Sequence, residues 1–185
     1  DTAGLREIVL AAAQTPDAYA ETIRENYLAL PGSVDTAVYT LAGEITQDAQ
    51  TDFDRASALC AYLRSAYPYT LLQNMPPDNR DFVSWFLLDE RQGYCTSFAT
   101  AMAVMARMVG LPSRYVEGYA ATPDADGVAR VTQQNAHAWA EIYFTGFGWL
   151  PFDPTPGIGN SEDGDSSSDE PQSNPPTPSP SPSPT

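Results

Sequence analysis

An apolar helix is the feature that most constrains what this chain can fold into. Residues 95–109 carry apolar side chains on nearly every side of the predicted helix, and such a helix is stable only when other elements surround it. Gly110 and Pro112 follow and end the helix. We therefore predict a central buried helix around which the rest of the chain folds. Its apolar positions are Phe98, Ala99, Met102, Ala103, Met105, Ala106 and Val109.

The residues after this helix alternate with a period of two, which is typical of β-strands. Turns such as 124–127 and 145–148 separate the strands, and such short connections join antiparallel neighbours. The pattern therefore predicts an antiparallel β-meander packed on the central helix. The predicted strands are 114–119, 129–132, 136–144 and 149–152.

The residues before the central helix have the apolar period of helices. Helices first and a meander afterwards indicate the α+β class. Thr15, Pro16 and Asp17 are typical of a helix start, with Pro at the first helical position, and Asp81 is expected to cap a short helical turn. The predicted helices are 35–50, Thr51 or Asp52 to about Ala66, and the weaker segments 5–10 and 18–28, and a polar loop is predicted over 73–80.

Length and composition divide the chain into one folded domain with two flanking segments. A chain of 185 residues suits one domain of ordinary size. From Gly157 onward the sequence is acidic and rich in Pro and Ser, with Ile158 as the only strongly apolar residue, and such a segment cannot bury enough surface to fold. We predict an N-terminal helical extension (1–34), a folded domain (35–156) and a disordered linker (157–185). The absence of an initiator Met and a signal peptide suggests a piece of a longer protein.

The net charge narrows the possible partners. The formal charge is −15, with nine arginines and no lysine, whereas nucleic acids and anionic membrane surfaces attract positive charge. We therefore expect neither as a partner. The missing lysines fit a compositional preference for arginine, which we favour, or an enzyme kept free of its own amine acceptors. Two cysteines do not make a disulfide framework. One plausible Cys and one His are also too few for a structural zinc site, so no metal or cofactor is predicted.

Three residues carry the chemistry. Cys95 follows Gly93 and opens the buried helix, where unpaired amides favour a thiolate. His137 is the only histidine and lies inside an apolar strand. Asp153 lies between Phe152 and Pro154 on the expected next strand, from which a carboxylate can orient the imidazole. These residues form a candidate nucleophile, base and orienting acid, whereas Cys60 is interpreted as an inert core residue.

The segments around these three residues resemble the transglutaminase core of the papain-like cysteine-enzyme superfamily, over about residues 35–156. The resemblance implies that Cys95 is the nucleophile, His137 the general base and Asp153 the residue that orients it. The segments that carry it are 93–95 (GYC), 110–119 (GLPSRYVEGY), 135–143 (NAHAWAEIY) and 148–156 (GWLPFDPTP).

A narrower similarity concerns cellular location. Residues 27–31 (YLALP), 62–64 (YLR), 67–70 (YPYT) and the Pro-rich tail are similar to prokaryotic membrane proteins that carry this domain outside the cytoplasm. The resemblance implies an extracytoplasmic soluble domain that is tethered to membrane helices absent from this sequence. In those relatives an acidic residue commonly follows the nucleophile, whereas this chain has Thr96.

The leading hypothesis is cysteine-dependent acyl transfer on glutaminyl or peptide amides of a protein or peptide substrate through a thioester. The oxyanion donors would be the amide of Cys95 and the side chain of Tyr69 or Gln92, with Tyr69 favoured because it lies in a family segment. One alternative is a cysteine protease or a peptidoglycan-directed amidase with the same triad. Another is a catalytically silent cell-surface binding module.

Overall fold

The computed structural model describes residues 2–157 as an α+β fold, in which helices come first and an antiparallel sheet follows. The helices are α1 (Thr2–Ala12), α2 (Ala20–Tyr27), α3 (Thr36–Thr46), α4 (Asp52–Ala66), α5 (Phe82–Ser84), which continues as a π-helix (Trp85–Glu90), and α6 (Cys95–Met108). The strands are β1 (Ser113–Tyr119), β2 (Ala136–Phe144) and β3 (Gly148–Phe152), with a 3₁₀ turn (Gln133–Asn135) before β2.

Helix α6 is the buried centre of the fold, as predicted. Phe98, Met102 and Met105 have no exposed surface, because α6 lies between the sheet on one side and helices α3 and α4 on the other. Burial of side chains of this size is the main favourable contribution to folding, at about 1.5–3 kcal/mol each. The helix that begins with Cys95 is therefore held firmly in place.

The sheet has the strand order β1-β2-β3, and both strand pairs are antiparallel. In β2, Ala138, Ala140 and Ile142 are buried and alternate with partly exposed residues, so the buried set faces α6. His137 lies on the opposite face and is paired with Gly118 of β1. The register thus places His137 at the end of the sheet where β2 begins.

Helices α3, α4 and α5 begin where helix starts were predicted, and each start has a side-chain cap. The side chain of Asp35 accepts a hydrogen bond from the amide of Ala37 at the start of α3, and that of Thr51 accepts one from the amide of Asp54 at the start of α4. Asp81 accepts the amide of Ser84 at 2.9 Å and starts α5. Local cap chemistry therefore sets these helix starts.

The N-terminal helices pack against the rest of the fold through specific contacts. Arg6 donates two hydrogen bonds to the carboxylate of Asp54, at 2.7 and 2.9 Å, and Val9 belongs to the core. Asp17 accepts hydrogen bonds from the hydroxyl of Tyr143 at 2.5 Å and from the amide of Gly146 at 3.1 Å. Polar contacts on both α4 and the β2–β3 turn therefore hold this extension.

The predicted helix start around residues 15–17 is wrong, because α2 begins at Ala20 after Tyr19. Asp17 accepts the amide of Tyr19 with one carboxylate oxygen, while the other contacts the sheet. Asp17 thus makes the local hydrogen bond expected of a cap with one oxygen and a long-range contact with the other, while the helix itself begins three residues later.

The predicted strand 129–132 is also wrong. This segment forms no strand, and Val131 remains 53% exposed. The sheet instead pairs β1 directly with β2, without residues 129–132 between them. Thr132 and Asn135 instead cap each other around the 3₁₀ turn that leads into β2.

No helix within residues 2–157 has both the length and the apolar character needed to cross a membrane. The predicted disordered linker lies, apart from Gly157, outside the described residues.

Candidate active site

Cys95 is the first residue of α6, and the segment before it sets its position. Gly93 forms an isolated parallel bridge with Tyr69, and its carbonyl accepts the amide of Thr70 at 2.7 Å. A Cβ on Gly93 would lie 2.8 Å from the side chain of Ser97, so only glycine allows this close approach to the first turn of α6. The thiol is thereby fixed at the N-terminal end of the helix.

His137 and Asp153 meet across neighbouring strands. Nε2 of His137 lies 2.6 Å from Oδ2 of Asp153, which directly follows the last residue of β3. Because Nε2 faces the carboxylate, Nδ1 is the ring nitrogen left for Cys95, and the side chains of Cys95 and His137 are hydrogen-bonded. The structure therefore brings the three predicted residues into one hydrogen-bonded chain.

Two anionic partners favour the protonated form of His137. The hydrogen bond with Asp153, followed by the one with Cys95, raises the pKa of His137 to about 9, although burial opposes this rise. The side chain of His137 is only 8% exposed, so solvent screens these interactions weakly. At neutral pH the ring is therefore an imidazolium.

The same contacts stabilise a thiolate at Cys95. Burial is the largest single influence and acts to raise the pKa of Cys95, but hydrogen bonds with His137 and with the amides of Ala138 and Thr96 together outweigh it, so the pKa lies below its usual value. Cys60 differs, because burial raises its pKa to about 11. Only one of the two thiols is activated.

The two predicted oxyanion donors have different surroundings. Tyr69 lies beside Cys95, and burial, then the charge on Cys95, raises the pKa of its hydroxyl, so the phenol keeps its proton. Its side chain is 37% exposed. The Gln92 amide instead donates to Glu90 at 3.2 Å. Tyr69 is therefore the side chain of the two with a donor beside the thiol.

A pair of polar side chains near Cys95 was not predicted. Tyr115 on β1 donates its hydroxyl proton to Glu117 at 2.5 Å, and its oxygen lies 3.5 Å from the hydroxyl of Thr96. Burial and the hydrogen bond with Glu117 raise the pKa of Tyr115 to about 12. The period-two pattern of β1 places residues 115 and 117 on one face, but it does not indicate that this face reaches Cys95.

Two contacts beneath Asp153 were also missed. The backbone carbonyl of Asp153 accepts a hydrogen bond from the thiol of Cys60 at 3.3 Å and another from the guanidinium of Arg64. Both donors lie one turn apart on α4. Sequence spacing places them on one helix face, but nothing in the sequence connects that face to Asp153.

Trp139 and β1 form the wall beside His137. The two rings are nearly parallel, with centroids 6.3 Å apart, and a Cβ on Gly118 would lie 2.7 Å from the indole. Further along this face, Arg114 pairs with Glu141, and its guanidinium lies 4.3 Å from the centre of the Trp149 ring. The wall is therefore closely packed.

Within residues 2–157, no group of three or more His, Cys, Asp or Glu side chains is arranged to hold a metal ion.

Comparison with known proteins identifies the family of this chain. The sequence matches the transglutaminase-like superfamily over residues 39–154. The chain belongs to the transglutaminase-like superfamily. This match extends from α3 to just past β3 and includes Cys95, His137 and Asp153.

Two curated relatives are similar to this transglutaminase-like chain. The uncharacterized protein YebA of Bacillus subtilis is 38% identical over 162 residues, covering 80% of this chain and 22% of that protein. A protein-glutamine gamma-glutamyltransferase of Pseudomonas aeruginosa is 37% identical over 131 residues, covering 69% of this chain and 19% of that protein. The chain therefore spans about a fifth of the length of these relatives.

A solved structure shows the same architecture. The periplasmic domain of TgpA from Pseudomonas aeruginosa is 30% identical, with a TM-score of 0.63, and the match covers 77% of this chain and 48% of that one. The predicted α+β fold of the transglutaminase-like, papain-like type is thus confirmed.

Proposed function

We propose that this protein transfers acyl groups from glutaminyl or peptide amides through a thioester on Cys95. The observation that carries this proposal is the hydrogen-bonded chain from Cys95 through His137 to Asp153, in which the pKa of the thiol is lowered and that of the imidazole is raised to about 9. An imidazolium beside a thiolate supplies both the nucleophile and the acid that such a reaction needs.

The reaction proceeds in two halves. The thiolate of Cys95 attacks the amide carbonyl carbon, and the imidazolium of His137 gives its proton to the departing amine as the C–N bond breaks. The neutral imidazole then removes a proton from the incoming amine, which attacks the thioester and releases the thiolate. Asp153 stays ionised and orients the ring throughout.

The oxyanion of each tetrahedral intermediate requires donors near the thiol. The backbone amide of Cys95, at the start of α6, supplies one donor, and the hydroxyl of Tyr69 supplies the second. Gln92 is the weaker candidate because its amide donates to Glu90.

The acceptor distinguishes transfer from hydrolysis. Water in place of an amine would make the same site a protease or amidase, while a binding module would need no activated thiol. We favour transfer on glutamine because a Pseudomonas aeruginosa relative that is 37% identical is named a protein-glutamine gamma-glutamyltransferase.

The test is to incubate the protein with a protected Gln-Gly dipeptide and a biotinylated primary amine and to follow product masses. Transfer replaces ammonia by the amine, whereas hydrolysis leaves glutamate or a cleaved peptide. Cys95→Ser and His137→Ala serve as inactive controls. A wild-type protein that forms neither a thioester nor a product, with this and with peptide donors, would support the binding-module hypothesis.

We also propose that the domain works outside the cytoplasm, tethered to a membrane. The support is its likeness to a periplasmic domain at 30% identity. The test is a fusion in which a reporter that is active only after export replaces everything that follows this domain in the full-length protein. A reporter active only in the cytoplasm would contradict it.

A further inference from the structure

The backbone of Asp153 is held by helix α4. Its carbonyl oxygen accepts hydrogen bonds from the guanidinium of Arg64 and the thiol of Cys60, the latter at 3.3 Å. Its carboxylate accepts the amide of Thr155 at Oδ1, at 3.0 Å, and faces His137 with Oδ2. Every acceptor oxygen of Asp153 therefore has a partner, and α4 supplies both partners of the carbonyl.

Arg64 makes this contact although another of its donors is left unpaired. Its Nε is buried and has no hydrogen-bond partner among the residues that the structure describes. A buried, unpaired donor on a charged group destabilises a fold, and an apolar side chain of similar size is often better tolerated. Folding stability alone therefore does not account for a guanidinium at this position.

Cys60 is suited to the same task. Burial raises its pKa to about 11, so at neutral pH the thiol keeps its proton and can donate it in a hydrogen bond to the Asp153 carbonyl. The interpretation of Cys60 as an inert core residue is therefore incomplete. Its sulfur is unreactive, but it contacts the residue that orients His137.

We propose that Arg64 and Cys60 are positioning residues that hold Asp153 in place for its hydrogen bond with His137. Within residues 2–157 no hydrogen bond joins either of them to Cys95 or His137, and both act through the backbone carbonyl of Asp153. This inference concerns the geometry of the site and does not depend on which acyl group the protein transfers.

The experiment is to measure the pKa of His137 by NMR titration of its ring signals. The chain has a single histidine, so the assignment is unambiguous. The titratable groups that act on the ring are Asp153 and Cys95. The variants are Arg64→Met, Arg64→Lys and Cys60→Ala, and the control is Arg55→Met. Arg55 also lies on α4 and donates to a distant carbonyl, that of Val109 at 2.9 Å.

We expect Arg64→Met to lower the pKa of His137 by about 0.5–1 unit, because a displaced Asp153 stabilises the imidazolium less well. Cys60→Ala should lower it by a smaller amount, and Arg64→Lys should restore most of the wild-type value. Carboxymethylation of Cys95 at pH 8 should slow by at most about 2-fold in Arg64→Met, because the imidazolium fraction falls from about nine-tenths to between a half and three-quarters. Arg55→Met should change the unfolding temperature but not the histidine pKa.

The sign of the shift separates positioning from a plain charge effect. Loss of a nearby cation alone would raise the pKa of the imidazole, whereas loss of positioning lowers it. An unchanged or raised pKa in Arg64→Met would overturn the proposal, as would an equal drop in Arg55→Met. If Arg64→Met does not fold, the His137 pKa in Cys60→Ala and Arg64→Lys tests the proposal instead. An unchanged pKa in Cys60→Ala would then contradict it.

Discussion

The imidazole of His137 donates to the carboxylate of Asp153 across adjacent strands at 2.6 Å. This contact is the main reason that the pKa of His137 is raised to about 9. The ionic state of the site therefore depends on one carboxylate that follows the last strand.

Replacing that carboxylate should lower the pKa of His137 and slow the reaction of Cys95. In Asp153→Asn the ring keeps a neutral hydrogen-bond partner but loses the charge, so the pKa of His137 should fall from about 9 toward its ordinary value of about 6.5. The imidazolium is then lost at pH 8, and carboxymethylation of Cys95 should slow by about 10-fold or more. Asp78→Asn, in an exposed loop, is the matched control and should behave as wild type.

The two thiols should differ in reactivity over a wide pH range. The pKa of Cys95 lies below its usual value and that of Cys60 is about 11, so iodoacetamide at pH 6–7 should modify Cys95 at least about 100-fold faster. In His137→Ala, burial of Cys95 remains while its hydrogen bond is lost, and the thiol pKa should rise. Peptide mass mapping of both sites measures the two rates together. Equal, slow modification of both cysteines in wild type would contradict the proposed activation.

The space beside Trp139 should be too small for a methyl group at position 118. In Gly118→Ala the new Cβ would lie 2.7 Å from the indole, and overpacking of this kind should cost about 1–3 kcal/mol of unfolding free energy. The control is Gly43→Ala on α3, where nothing lies within 4 Å of the new Cβ. That change should instead stabilise the protein by about 0.5–1 kcal/mol. Urea unfolding measures both, and a neutral Gly118→Ala would show that Trp139 moves freely.

Attachment of the N-terminal helices should depend on pH. The hydroxyl of Tyr143 is the main reason that the pKa of Asp17 lies below its ordinary value. A lowered carboxyl pKa contributes stability above the unfolded value of about 3.8, and this contribution is lost as the pH falls through the folded value. Tyr143→Phe should therefore lower the unfolding temperature at pH 6–7 and lower it less near pH 3.

The control for this prediction is Tyr39→Phe, which changes an exposed tyrosine on α3 and should have little effect at either pH. Thermal melts from pH 3 to 7 provide the measurement. A Tyr143→Phe effect of equal size at both ends of that range would show that the hydroxyl does not act through the charge of Asp17.

Elements with strong local signals could be predicted from the sequence. Helix α6 is apolar almost all round, and α3 and α4 begin at Asp35 and Thr51, which cap them. These signals act between residues close in sequence, so they can be recognised without knowledge of the fold. The family segments around Cys95, His137 and Asp153 likewise made the candidate site predictable.

Other features depend on contacts between distant residues and were not predictable. Asp17 contacts Tyr143 in the sheet as well as the amide of Tyr19, and α2 begins only at Ala20, while residues 129–132 form no strand. The contact of Cys60 with Asp153 joins residues far apart in the chain. In each case the local pattern was compatible with two structures, and packing elsewhere selected one.

The chain order of the site residues has a consequence for protein synthesis. Cys95 is translated well before Asp153, and Asp153 is held only when α4, β2 and Thr155 are all in place. On the ribosome, a nascent chain that ends before β3 therefore lacks the carboxylate that is the main reason for the raised pKa of His137. The contacts that stabilise the thiolate of Cys95 are therefore complete only after the last strand has been made.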